Sequence, residues 1–364
     1  MNYQSWVGFT DIRFGYGAML SGFVDNIPEG VELNEKASTQ VYMGVPIAHK
    51  GWWKGQHRVL FTMWETDVLP HSFIRYLPKY DQILVPCEHN VELFSQHHPN
   101  VKHVPLGVDT TFWSPRQRPR SNVFQFRAGG SLWKRKGLDV VVRAFNELRL
   151  PDAVLRIKAA PHARDVPDNI ESDKVFLDRQ WMSLEDQRKW FNEADCFIAA
   201  SRGEGFGLMP LQAIALGVPT ILSMSSGQTQ FSHLATNTVK CGKSQSETIG
   251  RWDEPNLDDL KRAMLWHYNN RAEAEQKAAQ MAGKVDEFTW QKSTQKLVDA
   301  VPAGTLLKTR TFEESFTDVK VVALKDFTAD IAYKSIKAKK GDILTITDSQ
   351  YQVLHDSGSV RLVV

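Results

Sequence analysis

The sequence predicts an α/β protein of two doubly wound domains that face a cleft, followed by a small β-rich domain. Three observations predict this fold class. Short apolar runs of strand length alternate with segments of helical periodicity over most of the chain. A polar stretch with two prolines, residues 115–122, separates these elements into two blocks. From about Leu306 the pattern changes to short β-type pieces, which indicates an added domain.

The bulk composition is that of an ordinary globular protein. Of the 364 residues, 42% are apolar and 24% are charged, and a formal net charge of +2 predicts no strong overall attraction to nucleic acid or anionic membrane. No apolar stretch approaches the roughly 18 residues that span a bilayer, and the N-terminus lacks a signal-peptide pattern. Three widely spaced cysteines indicate free thiols in a reducing compartment. We therefore expect a cytoplasmic protein, and its oligomeric state stays open.

The first domain opens with a short strand over residues 5–9, a glycine-containing loop and a helix from about Ala18. The loop contains Gly15, Tyr16 and Gly17. Glycines between a strand and a helix let a ligand approach the backbone closely, and a plain turn is the alternative. These three residues are therefore candidates for a place in the cleft.

A buried strand over residues 57–64 ends at Glu65 and Thr66. Catalytic residues favour the carboxyl ends of parallel strands, because these ends open on the crevice of doubly wound folds. Both residues are therefore candidates for contact with an acceptor substrate, and Glu65 is a candidate base. The alternative is that Glu65 caps a helix or is simply solvated. Further along, the pattern predicts strands over residues 81–86 and 101–104.

The second domain begins with a strand from about Val123 that leads to a turn at Gly129 and Gly130. Lys134, Arg135 and Lys136 then crowd the start of an amphipathic helix. Positive charges at a helix N-terminus are unfavourable unless an anion lies there, and a pyrophosphate would fit. The alternative is a solvated basic turn.

The most informative stretch, residues 195–223, predicts a strand, a glycine-rich turn, a helix and a second strand. Glycines at the N-terminus of a helix form a site suited to phosphate. Glu204 lies in the turn, and because an acid repels phosphate, it is expected to face neutral hydroxyls such as those of a sugar. Gln212 lies roughly 7 Å further along the helix, where it could hold the next part of the same ligand. The alternative is a tightly packed structural turn.

Several separated segments resemble the retaining GT-B glycosyltransferases of family 4. Glu204 and Gln212 resemble the two acids of that family's E-x7-E motif, with glutamine in place of the second acid. Residues 104–115 resemble the segment that ends the N-terminal domain in that family. Residues 129–137 resemble its phosphate-binding element, with Lys136 at the lysine position and Ser131 in place of the arginine. Phe288 to Trp290 resemble the segment that precedes a helix crossing back to the first domain.

The resemblance implies a GT-B fold with two Rossmann-like domains. It implies an acceptor domain over residues 1–118, a nucleotide-sugar domain over 119–285 and a crossing helix over 286–304. Residues 305–364 form a β-barrel-like appendage in this prediction. The implied reaction is transfer of a sugar from a nucleotide-diphosphate sugar to an acceptor hydroxyl, with retention, without a metal and without a protein nucleophile. The chain contains no Asp-x-Asp sequence of the kind that clamps a metal-bound diphosphate.

The resemblance also implies roles for the candidate residues. Glu204 would orient the donor sugar, Lys136 would neutralise the diphosphate, and Gln212 would hold the ribose. Glu65 would face the acceptor, with Gly15, Tyr16, Gly17 and Thr66 nearby in the cleft. The remaining predicted donor-site residues are Gly130, Ser131, Lys134, Arg135, Gly205, Phe206, Gly207 and Leu208.

No cofactor is expected, because the nucleotide sugar, UDP- or GDP-linked, is a substrate. A carbohydrate acceptor is favoured over DNA, although a glycan, a lipid-linked sugar and a modified nucleic-acid base all remain open. One alternative is a non-catalytic GT-B-like protein that binds a glycan or a nucleotide. A nucleotide-binding oxidoreductase is disfavoured, because the third glycine of its G-x-G-x-x-G motif is missing after Gly17.

Overall fold

The computed structural model describes residues 1–12, 15–46, 55–130, 134–159, 161, 170, 172–307, 319–323, 326–331, 334–346 and 360–362. Within these ranges two six-stranded sheets, whose strands are all parallel, form the cores of two domains. Each sheet has helices packed on it, so the predicted α/β architecture of two doubly wound domains is confirmed.

The first sheet has the strand order β2-β1-β3-β4-β5-β6. Parallel neighbours require crossover connections, and the helices supply most of them. The elements are β1 Asn2–Gly8, α1 Gly15–Val24, β2 Val31–Leu33, β3 Thr39–Met43, β4 His57–Phe61, α2 His71–Tyr76, β5 Gln82–Val85, α3 Glu88–Ser95 and β6 Val101–His103.

The second sheet has the order β12-β11-β10-β7-β8-β9, and a two-stranded hairpin of β13 and β14 follows it. Because β10 lies directly beside β7, the loops that leave these two strands are neighbours. The elements are β7 Phe124–Gly130, α4 Leu138–Leu148, β8 Ala153–Ala159, β9 Val175–Asp178, α5 Leu184–Asn192, β10 Cys196–Ala199, α6 Leu208–Ala215, β11 Thr220–Ser223, β12 Asn237–Val239, β13 Cys241–Gln245, β14 Arg251–Pro255, α7 Leu257–Asn269, α8 Arg271–Ala282 and α9 Trp290–Ala300.

The central strands are buried on both faces, which explains why they appear in the sequence as continuous apolar runs. Val59, Leu60 and Phe61 on β4 are fully buried, and so are Ile221 and Leu222 on β11. Burial on both faces is the usual condition of parallel sheets. Among the helices of the described ranges, none has both the length and the apolarity that crossing a bilayer requires.

The last helix, α9, packs against the first domain rather than the second. Phe23 of α1 and Trp290 meet with ring centroids 5.3 Å apart. A Cβ atom at Gly22 would lie 2.3 Å from the Trp290 ring, so only glycine allows this approach. Beyond the helix, the Asn2 side chain accepts a hydrogen bond from the Gly304 N–H, and Tyr3 N–H donates to the Gly304 carbonyl. Residues 290–304 therefore complete the first domain.

The C-terminal region forms β-strands, as the change of pattern at Leu306 predicts. The described strands are β15 Val319–Ala323, β16 Phe327–Ile331, β17 Lys334–Ala338, β18 Ile343–Ile346 and β19 Val360–Leu362. They pair as an antiparallel sheet of order β18-β15-β19 and an antiparallel pair of β16 and β17. Closure of these strands into a barrel stays a prediction.

The buried imidazole of His267 on α7 makes the stability of the protein depend on pH. His267 is fully buried, and its Nδ1–H donates to the Ala263 carbonyl oxygen at 2.8 Å. Its Nε2 atom is buried without a hydrogen-bond partner in the described part of the chain. Burial lowers the pKa of His267 to about 4, below the ordinary value of 6.5. The folded protein therefore holds this group neutral at a pH where the unfolded chain already binds a proton.

We expect the free energy of unfolding to fall by about 2 kcal/mol between pH 7 and pH 5 on account of His267 alone. The loss begins near the unfolded pKa of 6.5 and is complete below the folded pKa of about 4. Urea unfolding of the wild type and of His267→Leu at both pH values measures it, since the leucine variant lacks this contribution. Equal pH dependence of the two proteins would contradict the prediction.

Candidate functional site

The glycine-rich turn after β10 is held in place by the segment that follows β11. Glu204 N–H donates to the Ser226 hydroxyl at 2.8 Å, and that hydroxyl donates to the Glu204 carbonyl oxygen at 3.0 Å. Gly227 N–H donates to the same carbonyl oxygen at 3.0 Å. Ser226 adopts a left-handed φ of 35°, which costs a non-glycine residue about 1 kcal/mol. The backbone of residue 204 is therefore fixed before any ligand arrives.

Four charged side chains meet at the carboxyl ends of the two sheets. The Glu204 carboxylate, only 8% exposed, accepts a hydrogen bond from Lys136 Nζ at 2.5 Å. Arg135 lies 3.6 Å from the same carboxylate and 3.7 Å from Glu65, which belongs to the first domain. We call these residues the charge cluster. Two cations face two acids, so the cluster is neutral as a unit.

Burial and pairing shift the pKa values within the charge cluster. Burial raises the pKa of Glu204, but Lys136 and Arg135 lower it by more, so that it lies below its ordinary value. Burial lowers the pKa of Lys136, against an opposing effect from Glu204. Glu204 therefore keeps its negative charge at neutral pH. It can accept hydrogen bonds from hydroxyl groups, and it cannot serve as a proton donor.

The loop that carries Lys136 depends on two glycines. A Cβ atom at Gly130 would lie 2.3 Å from Lys136 Cγ, so the absence of a side chain there lets the lysine lie along the end of β7. Gly137, the residue before α4, has a left-handed φ of 64°, and a Cβ atom there would lie 1.8 Å from the Ala200 carbonyl oxygen. Only glycine satisfies both conditions at residue 137.

Arg202 anchors this loop, and sequence reasoning assigned it no role. Its guanidinium forms paired hydrogen bonds with Asp139, at 2.7 and 2.9 Å, and with Glu254, at 2.6 and 2.7 Å. The same group donates to the Lys134 carbonyl oxygen, and Arg202 N–H donates to the Arg135 carbonyl oxygen. The two acids lie far from Arg202 in sequence, so no local pattern reveals the pairing. The sequence signal that could have pointed to a role for Arg202 was its position in the glycine-rich turn.

A second polar group joins side chains of β8, α5 and α6. Lys158 Nζ donates to Gln187 Oε1 at 3.1 Å, and Gln187 Nε2 donates to Gln212 Oε1 at 2.9 Å. We call these three side chains the amide chain. A Cβ atom at Gly129 would lie 3.2 Å from both Lys158 Cβ and Met209 Cε. Gly129 and Gly130 are consecutive residues of β7, so the amide chain and the charge cluster lie at the same end of this strand but against opposite faces of the sheet.

The predicted cleft residues of the first domain lie near one another, but most of their polar groups already form hydrogen bonds within that domain. The Tyr16 hydroxyl lies 3.2 Å from the Thr62 hydroxyl and accepts a hydrogen bond from Met63 N–H at 3.3 Å. Burial raises the pKa of Tyr16, so its phenol stays protonated. The Thr66 hydroxyl accepts from Trp64 Nε1 at 2.7 Å and donates to the Val68 carbonyl oxygen at 3.0 Å. Thr66 is therefore committed within its own loop.

The two glycines of the predicted cleft loop differ in what surrounds them. A Cβ atom at Gly17 would lie 2.0 Å from the Asp11 carbonyl oxygen, so residue 17 must be glycine for the turn to close. Gly15 has open space where its Cβ would be. Of the two, steric packing therefore requires glycine at residue 17 but not at residue 15.

The two domains touch directly at the glycine-rich turn. A Cβ atom at Gly203 would lie 2.4 Å from the Glu65 carbonyl oxygen, and one at Gly205 would lie 2.3 Å from Met63 Sδ. The Asp67 carboxylate accepts hydrogen bonds from Arg251 N–H at 2.6 Å and from Arg251 Nε at 2.9 Å. The cleft is therefore closed around the charge cluster.

Some predicted donor-site residues lie outside the charge cluster. Lys134 pairs with Glu247 at 2.6 Å, and its side chain is 56% exposed, so Arg135 supplies the second positive charge. The Phe206 side chain is buried against Phe231, with ring centroids 5.4 Å apart. Leu208 packs on the same core, and Gly207 caps α6 with a left-handed φ of 110°. Ser131 lies outside the described residues.

Comparisons with known proteins point to one class. A family model described as family 4 glycosyltransferase in conflict systems matches residues 88–297. D-inositol 3-phosphate glycosyltransferase of Arthrobacter sp. (strain FB24) is 30% identical over 159 residues, which cover 37% of this chain and 37% of that protein. A GDP-mannose-dependent monoacylated alpha-(1-6)-phosphatidylinositol monomannoside mannosyltransferase of Corynebacterium glutamicum is 28% identical over 196 residues, covering 46% of this chain and 50% of that protein. The matches thus span half or less of these curated relatives.

Solved structures share the fold over a larger part of the chain. Anabaena Alr3699/HepE, in complex with UDP and glucose, matches with a TM-score of 0.62 at 11% identity, covering 82% of this chain and 98% of that one. WaaG, a glycosyltransferase involved in lipopolysaccharide biosynthesis, matches with a TM-score of 0.56 at 13% identity, covering 83% and 100%. At these identities the likeness establishes the fold alone, and it confirms the predicted two-domain GT-B architecture.

Proposed function

The chain belongs to the family 4 glycosyltransferases in conflict systems, and from this premise we propose that it transfers a sugar from a nucleoside diphosphate sugar to an acceptor hydroxyl. We propose further that transfer retains the anomeric configuration and needs no metal ion. The observation that carries the proposal is the charge cluster, in which Lys136, Arg135 and Glu204 of the second domain meet Glu65 of the first.

The cations of the charge cluster would serve the leaving diphosphate. Lys136 and Arg135 would exchange part of their contact with Glu204 for phosphate oxygens, next to the glycine-rich turn that precedes α6. Fixed cations at the point where negative charge develops stabilise the transition state, because they need no rearrangement during the reaction. Glu204, ionised and rigidly held, would then accept hydrogen bonds from hydroxyl groups of the donor sugar.

The acceptor would enter from the side of the first domain. In the proposed mechanism the bond between the sugar and the phosphate breaks while the acceptor oxygen bonds to the same face of the sugar. The acceptor proton passes to the leaving phosphate oxygen. Glu65, 27% exposed and 3.7 Å from Arg135, would hold the acceptor hydroxyl in place. No protein nucleophile takes part.

For the acceptor we propose a carbohydrate or a sugar-bearing lipid rather than DNA. The names of the two curated relatives describe a glycosyltransferase of an inositol phosphate and a mannosyltransferase of a phosphatidylinositol mannoside. The second of these names contains GDP-mannose and the structural neighbour HepE was solved with UDP, so we propose UDP or GDP as the donor nucleotide. The net charge of +2 adds nothing that favours nucleic acid.

A second candidate function is binding of a nucleotide or glycan without catalysis. Two observations favour it: the cations are already neutralised by Glu204 and Glu65, and Gln212 stands where the family has an acid. A turnover assay with nucleotide sugars distinguishes the two candidate functions. Release of free sugar or transfer to any acceptor supports the transferase, whereas tight binding with no turnover supports the binding protein.

A panel of UDP, GDP, ADP, TDP and CDP, titrated by calorimetry without metal, tests the donor site. We expect one diphosphate to bind clearly best, and Lys136→Ala to weaken it about 30-fold, because the variant loses a charged hydrogen bond worth about 2 kcal/mol. Lys134→Ala is the matched control, since Lys134 pairs with Glu247 away from the cluster. Absence of any binding, or equal weakening by both variants, would overturn the proposed function.

A further inference from the structure

The hairpin of β13 and β14 belongs to the second domain, but the first domain holds it near its turn. Arg251 N–H and Nε donate to the Asp67 carboxylate at 2.6 and 2.9 Å, and Asp67 N–H donates to the Arg251 carbonyl oxygen at 3.3 Å. A Cβ atom at Gly250 would lie 2.6 Å from Asp67 Oδ1, so the backbone just before β14 also packs on the first domain. The position of β14 therefore depends on a residue of the first domain.

Farther along β14, Glu254 contacts the arginine that anchors the loop before α4. The Glu254 carboxylate accepts two hydrogen bonds from the Arg202 guanidinium, at 2.6 and 2.7 Å, and the same guanidinium donates to Asp139 at 2.7 and 2.9 Å. Arg202 also donates to the Lys134 carbonyl oxygen from its side chain and to the Arg135 carbonyl oxygen from its backbone N–H. Arg202 therefore ties β14 to the loop that brings the cations of the charge cluster into place.

Asp253 joins the same strand to the acid of the charge cluster. Its N–H donates to the Arg202 carbonyl oxygen at 2.9 Å, and its carboxylate accepts from Ser226 N–H at 3.2 Å. Ser226 in turn exchanges hydrogen bonds with the backbone of Glu204. The cations of the charge cluster and Glu204 are thus both supported by β14, within a few residues of its contact with the first domain.

Arg202 is suited to pass on a displacement of β14. A guanidinium is planar and its donors keep a fixed geometry, so a paired carboxylate cannot move without moving the group or losing hydrogen bonds. The Arg202 side chain is only 9% exposed, and breaking a buried ion pair is strongly destabilising because it leaves a charge without compensation. A shift of Glu254 should therefore move Arg202, and with it the backbone of Lys134 and Arg135, rather than break the pair.

We propose that the first domain sets the affinity for the donor diphosphate through the hairpin. Asp67 holds β14 through Arg251, and Arg202 transmits the position of β14 to the charge cluster. Asp67 and Arg202 are positioning residues, since each acts through other side chains and neither needs to contact the donor. The inference rests on the proposed function, because it assumes that the charge cluster binds a diphosphate.

A double-mutant cycle of Asp67→Ala and Arg202→Lys tests this, by calorimetry with the nucleoside diphosphate that binds best. By charge alone, removing an acid should leave the binding of an anion unchanged or tighter. We expect the opposite, a loss of about 5-fold in Asp67→Ala, because β14 is no longer held by the first domain. Arg202→Lys keeps the positive charge but loses the paired geometry. In that background Asp67→Ala should change the affinity by less than about 2-fold, since the link is already broken.

Two further variants complete the design. Glu147→Ala is the matched control, because Glu147 is a surface acid of the second domain whose partners, Arg143 and Lys261, lie outside the hairpin. It should bind the diphosphate as the wild type does. Glu254→Gln keeps the shape of its side chain and weakens the other end of the same link. It replaces Arg202→Lys in the cycle if urea unfolding shows that the lysine variant is not folded.

The inference is overturned if Asp67→Ala binds the diphosphate as well as Glu147→Ala does. It is also overturned if the losses in Asp67→Ala and Arg202→Lys multiply in the double variant, because independent effects exclude a link between the two residues. If the wild type binds no nucleoside diphosphate, the proposed function itself fails. That result appears before any variant is compared, so it is distinct from the outcome of the cycle.

Discussion

Replacing Glu204 with glutamine should lower kcat/KM for sugar transfer, or for hydrolysis of the donor, about 1,000-fold. The carboxylate is 8% exposed, bonded to Lys136 at 2.5 Å and held by backbone contacts with Ser226. The variant keeps the shape of the side chain and removes only its charge. The sugar then loses a strong acceptor for its hydroxyl groups at the reacting centre.

The binding of the bare nucleoside diphosphate should move in the opposite direction in this variant. Glu204 competes with phosphate for Lys136 and Arg135, so its neutralisation should leave diphosphate affinity unchanged or tighter. Calorimetry with the best-binding diphosphate measures this, and urea unfolding checks that the variant is folded. A parallel loss of binding and turnover would show that Glu204 acts only as a structural counter-ion.

Replacing Gly203 with alanine should lower kcat/KM about 100-fold by holding the two domains apart, because small misplacements of reacting groups carry penalties of that size. The new Cβ atom would lie 2.4 Å from the Glu65 carbonyl oxygen, a backbone atom of the other domain that has no side-chain freedom to move away. The apolar cluster around Phe126 and Leu155 lies within the second domain and the cluster around Leu60 and Phe94 within the first, so the free energy of unfolding should change little. Small-angle scattering should report a larger radius of gyration than in the wild type.

Gly242→Ala provides the matched control for this prediction. Gly242 belongs to the same domain, and a Cβ atom there meets nothing within 4 Å. The control should keep wild-type turnover and dimensions. If Gly203→Ala is as active and as compact as this control, closure at the glycine-rich turn plays no part in the reaction.

The two sheets could be predicted from the sequence because their signals are local. The run that became β4 is apolar on consecutive residues, as burial on both faces of a parallel strand demands. The glycines and Pro210 around α6 mark its start with equal clarity. Such patterns can be recognised without knowing which distant residues are in contact.

The pairing within the site could not be predicted, because it depends on strand order and side-chain direction. Glu204 and Lys136 each stood out as candidates, but they were assigned to separate ligand groups, and their direct contact arises because β10 lies beside β7. Three consecutive cations gave no sign that Lys134 turns outward to Glu247 while Arg135 turns inward. The amide chain joins three elements, and only Gln212 among its members matched a motif.

The return of α9 to the first domain has a consequence for the order in which the chain folds during synthesis. The ring of Trp290 covers Gly22 and Phe23, and the Gly304 backbone pairs with Asn2 and Tyr3 at the start of β1. The first domain is thus completed after the second, although most of it leaves the ribosome before the second. At ordinary translation rates it waits on the order of ten seconds for these residues, while the second domain is made and can already fold. A shortened chain that ends before residue 290 should therefore contain a folded second domain beside an unfinished, aggregation-prone first one.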